Sequence, residues 1–152
     1  MGINFAKSLS INALSGSDAT LKSIKIKKGL PEDESQALVF LYMMSSQLEA
    51  EEYLSILNDF INMYPNNMEG YLRRATYYMD KNSDEFVSKV EDDLKKTAEV
   101  AENKAEAHYG IAKLIYNYSI SNAKKPEKAN WTLERALDET NQAISVSAEG
   151  LY

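Results

Sequence analysis

Residues 31–65 read PEDESQALVFLYMMSSQLEAEEYLSILNDFINMYP, bounded by two prolines 34 positions apart. Each proline follows an amphipathic stretch and precedes a polar pair, Glu32-Asp33 and Asn66-Asn67. Proline lacks an N–H and restricts the residue before it, so it ends a helix. Gly29 adds a stop signal just ahead of Pro31. Between the prolines the spacing predicts two helices. The first runs from Asp33 to Gln47 and shows Leu38, Leu41, Met44 and Leu48 on one face. The second runs from Ala50 to Tyr64 with Tyr53, Leu57, Phe60, Ile61 and Tyr64. Apolar residues at i, i+3/4 and i+7 share one helical face, and the short link over 45–49 makes the two helices antiparallel neighbours.

Reading outward, the unit recurs. Met68–Met79 reads as a helix, and Asn82 with Glu85 three residues on forms a capping box for the next one. That next helix carries Val87, Val90, Leu94, Ala98 and Ala101 as its apolar face. A further pair follows: Ala105–Tyr118, with Ala107, Ile111, Leu114, Ile115 and Tyr118, and a last helix in which Leu133, Leu137, Thr140 and Ile144 are expected to face the core. The linker between them holds Ser119–Pro126. Upstream, Ile3–Leu14 and Asp18–Lys28 make one more pair. The chain therefore reads as one all-α repeat domain over 1–152, with four helix pairs at about 1–33, 34–67, 68–104 and 105–150. Leu151-Tyr152 would open a fifth.

Composition agrees with helices. Of the 152 residues, 44% are hydrophobic and 26% charged, which excludes the disordered and low-complexity classes. Six Gly and three Pro against ten Tyr and six Met disfavour a turn-rich β fold. The absence of cysteine rules out disulfides, thiol nucleophiles and thiolate zinc sites. A net charge of −6 argues against nucleic-acid binding. Its distribution is uneven: residues 1–30 hold five Lys and one Asp, and the acidic excess lies downstream. The longest apolar run, Ala37–Met44, has eight residues, far short of the ~20 a membrane-spanning helix needs. The start of the chain mixes Asn, Lys and Ser with its apolar residues and lacks a signal-peptide core. The sequence leaves the compartment open between the cytoplasm and, if the chain belongs to a longer exported protein, the periplasm.

These residues resemble the tetratricopeptide repeat, a pair of antiparallel helices of about 34 residues. In the stretch 105–116, Ile111 and Ala112 match the family's Leu-Gly position and Ile115 its Tyr position. In Met68–Met79, Tyr71 stands at the Trp position, Ala75 at the small position and Tyr78 at the Tyr position. Ala19, Tyr53, Val90 and Ala136 fall where second helices prefer Ala, Leu57 and Leu94 at the large aromatic position, and Pro31 and Pro65 at the closing Pro. The chain departs from the pattern at Leu41 and Lys7, which stand at small positions, and in its third and fourth units of 37 and 46 residues. Loop closure costs only about 0.6 kcal/mol per doubling of loop length, so such insertions are tolerated. The resemblance implies a right-handed α-solenoid whose first helices line a concave, peptide-binding face. By repeat position that face would be lined by Leu38, Tyr42, Leu72, Arg73, Thr76, Met79, Tyr109, Lys113 and Tyr116. The implied function is a non-catalytic scaffold that binds a protein or peptide. Some family members hold chaperone C-termini with Lys, Asn and Arg on first helices. Here the corresponding positions include Leu38, Val39, Tyr42, Glu69, Leu72, Arg73 and Thr76, so carboxylate-clamp binding is not expected. The alternatives are self-association into a homo-oligomer, and an accessory domain of a longer enzyme or uptake-system protein.

No catalytic constellation, cofactor or metal site is expected. His108 is the only histidine, occupies the family's Trp position, and reads as structural. Asp80, Asn82, Asp84 and Glu91 have the spacing of calcium-loop ligands, but Glu85 replaces the required Gly. The acidic groups at 49–52 and 91–93 read as solvated faces. Asn117 and Asn130 head formal glycosylation sequons. Small residues at 75 and 112 admit a closely packed neighbouring helix. Ala112→Leu is therefore expected to destabilise the fold by about 1–3 kcal/mol through overpacking, measured by thermal unfolding; an unchanged melting temperature contradicts the register.

Overall fold

A computed structural model describes residues 29–149, and every regular element among them is helical. The expected pair over Ile3–Leu14 and Asp18–Lys28, with Lys7 and Ala19, and the closing Leu151-Tyr152 lie outside the described residues. The chain divides between Tyr64 and Pro65 into two compact units.

In the first unit, α1 (Glu34–Met44) and α2 (Ala50–Met63) begin and end close to the expected positions. Asp33 caps α1 by accepting the Gln36 N–H at 2.9 Å. The Tyr64 hydroxyl, just past the end of α2, donates to the Pro31 and Glu32 carbonyls ahead of α1. That bond sets the end of one helix beside the start of the other, so they run antiparallel. The buried face of α2 comprises Ile56, Leu57, Phe60 and Ile61, largely as its periodicity predicts. In α1 the buried residues are Ala37, Phe40, Leu41 and Met44, while Leu38 and Leu48 are only half-buried. Eight consecutive apolar residues have no period, so the pattern could not single out the face turned inward.

The second unit contains α3 (Met68–Asp80), α4 (Val87–Val100), α5 (Lys104–Ser121) and α6 (Leu133–Glu149). Asn67 caps α3 through the Glu69 N–H, and Asn103 caps α5 through the Glu106 N–H. Thr132 accepts the Arg135 N–H at the start of α6. The Lys104 ammonium donates to the carbonyls of Ala98 and Glu99, which the last turn of α4 leaves without helical partners. Arg74 of α3 meets Asp93 of α4 and Tyr78 meets Phe86 just before α4, so residue numbers rise on one side as they fall on the other; His108 with Glu139 and Tyr118 with Trp131, just before α6, show the same for α5 and α6. Each pair is therefore antiparallel, and α5 also contacts both α3 and α4. One core joins Ala75 and Met79 of α3, Val87, Val90 and Leu94 of α4, Ile111, Ile115 and Tyr118 of α5, and Ala136 of α6 around the fully buried Trp131.

Four features of this unit differ from the sequence reading. The cap before α4 is Ser83, which accepts from the Glu85 N–H and opens a 3-10 turn, Asp84–Phe86. Asn82 instead adopts a left-handed conformation (φ 50°), donates to the Lys124 carbonyl at 3.0 Å and accepts the Tyr118 hydroxyl. The acidic run 91–93 is solvated only at Asp92. Asp93 is buried and takes a bidentate pair from Arg74 at 2.8 and 2.9 Å, and Glu91 accepts from Trp131 Nε1 at 2.9 Å and from both terminal nitrogens of Arg135. Met79, expected on an open concave face, is 1% exposed within the core. Finally, α6 buries Ala136 and Ala143 and leaves Leu133, Leu137 and Ile144 exposed. Its small residues allow the helix to approach α5 closely, and the larger apolar stripe stands on another face.

Burial pushes the Glu91 carboxyl up, but the hydrogen bonds from Arg135 and Trp131 and the Arg135 charge together outweigh it, holding Glu91 below the usual carboxylate range. A group whose pKa falls on folding stabilises the native state above its unfolded pKa, and that contribution is lost as pH drops through the folded value. Glu91→Gln is expected to cost about 1 kcal/mol at pH 7: hydrogen bonds to a charged group contribute about 1.5–3 kcal/mol, and solvent screens this carboxylate, whose side chain is 38% exposed. The difference between denaturant melts of the two proteins should start to shrink as the pH falls below the ordinary glutamate pKa of about 4.3 and close only as it passes through the lowered folded-state value of Glu91. A difference that persists unchanged at pH 2 would refute the assignment.

Candidate binding groove

The exposed stripe of α6 is one wall of a groove. Tyr109, Ala112, Lys113 and Tyr116 of α5 and Leu133, Ala136, Leu137 and Thr140 of α6 line an open concavity of about 400 Å³. Buried Ala112 and Ala136 form its floor. Tyr109 is 61% exposed, Tyr116 49%, Leu133 55% and Leu137 59%. Large apolar side chains so far out of the core stand above that floor as walls. Ile144, 62% exposed, extends the α6 stripe beyond the groove. The polar groups are few. The Lys113 side chain stands on the α5 wall, and Glu134 and Asp138, both exposed, follow Leu133 and Leu137 along α6.

The two walls are fastened together. His108 Nδ1 lies 2.8 Å from Glu139 Oε2, with both side chains mostly buried. Tyr118 meets Trp131 edge to face with ring centroids 5.1 Å apart. The Arg135 guanidinium is held by Glu91 of α4, so the first turn of α6 is anchored outside its own pair. The groove is thus preformed on packed helices, which suits recognition by apolar contact with a few orienting polar groups.

Of the nine residues expected to line a concave face, Tyr109, Lys113 and Tyr116 come together here. The α3 residues do other work. Leu72 packs against the core and reaches within 3.0 Å of where a Cβ on Gly110 would stand, so α3 and α5 meet closely at that glycine. The Thr76 hydroxyl donates to the Leu72 carbonyl at 2.9 Å. Arg73 pairs with Glu69 at 3.7 Å along its own helix, and Met79 is buried. In the first unit Leu38 is half-buried, and Tyr42 is 69% exposed beside Val39 and Met43 on α1. The α6 wall was absent from the sequence expectation, although its signal was present: the spacing of Leu133, Leu137, Thr140 and Ile144 does mark one face, read as core.

Among the described residues no group of three or more His, Asp or Glu side chains is placed to hold a metal ion. Three of the four calcium-loop positions are committed elsewhere: Asn82 to Lys124 and Tyr118, Asp84 to the Lys128 N–H at 2.9 Å, and Glu91 to Trp131 and Arg135. No helix among the described residues is long and apolar enough to cross a membrane. No protein-family model, curated protein or solved structure matches the chain at a significant level.

Isolated surface substitutions cost within about 0.5 kcal/mol each, whereas core truncations of Leu or Ile cost about 2–5 kcal/mol. Replacing Leu133, Leu137 and Ile144 together by Ser should therefore leave thermal unfolding nearly unchanged. A collapse of the melting transition would show that this face is packed.

Proposed function

We propose that the chain is a helical-repeat module of the tetratricopeptide type that binds another polypeptide without catalysing a reaction, and that the α5–α6 groove is its binding site. The observation that carries this reading is the set of large apolar side chains, Tyr109, Tyr116, Leu133 and Leu137, held exposed around an alanine floor. Contiguous apolar surface of this kind marks an interaction site in a soluble domain. Tyrosine suits such a wall because it offers a large contact area with a polar tip. The repeat reading draws support from the proline spacing, from the antiparallel pairs, and from the Asp33, Asn67 and Asn103 caps that open the first helix of each described pair. On this reading the four pairs stack into a right-handed superhelix, and the chain has no cofactor.

The test is a random peptide library displayed against the full chain. It should enrich sequences that compete with one another for a single site. Tyr109→Ala combined with Leu137→Glu should weaken the enriched peptides at least 10-fold, since central apolar anchors each contribute about 1–2 kcal/mol or more. Equal affinity for the double variant would remove the groove from consideration.

A further inference from the structure

We draw no further inference here: the strongest candidate, the pair of exposed apolar stripes on α5 and α6 that wall the groove, belongs to the site already described, and nothing in the structure shows what covers it.

Discussion

The Glu91 carboxylate holds the second unit together at its longest connection. From α4 it accepts from the Trp131 indole, in the linker that follows α5, and from the Arg135 guanidinium of α6. Leaving a polar group of a core unpaired costs its desolvation, and here every polar group of the cluster finds a partner. With Trp131 in place, the linker lies across the α3–α4 turn, where Asn82 and Asp84 bind its backbone. The start of α6 is fixed in turn, and with it the position of the groove's second wall. The ion pair of Arg74 with Asp93 does the corresponding work between α3 and α4. There Asp93 raises the guanidinium pKa by hydrogen bonding, against the opposing effect of burial.

Helix positions were legible because the periodicity of α2, α3 and α4 is clean and because Asp, Asn and Pro punctuate the starts. What periodicity does not encode is which face gets covered. In α1 the apolar residues run without interruption, so Leu38 and Ala37 compete for the same inward place. In α6 the pattern did mark Leu133, Leu137 and Ile144 as a face, but only the packing of Ala136 and Ala143 shows that another side turns inward. The candidate site was half legible for the same reason. Its α5 wall follows from repeat position, and its α6 wall was hidden in a stripe read as core.

The polar core was harder to read. Trp131 stands alone in a linker between Asn130 and Thr132, with no repeat partner to give it a role. Glu91 and Asp93 lie in an acidic run that, by composition, belongs to solvent. Their partners are 44 and 19 positions away, and only the fold brings them together. Asn82 had the composition of a helix cap and serves instead as a left-handed hinge tying the α3–α4 turn to Tyr118 and Lys124.

That linker strap also shapes the time course of folding. Adjacent helices meet after short loops, and contacts close in sequence form quickly. The strap contacts from Asn82, Asp84 and Glu91 span 36 to 44 residues. The entropy of closing a longer loop must be met before any of them can form. Completing the second unit is therefore slower than forming its helix pairs, and a chain caught before the Trp131 indole is seated would have all four helices and only one finished wall of the groove.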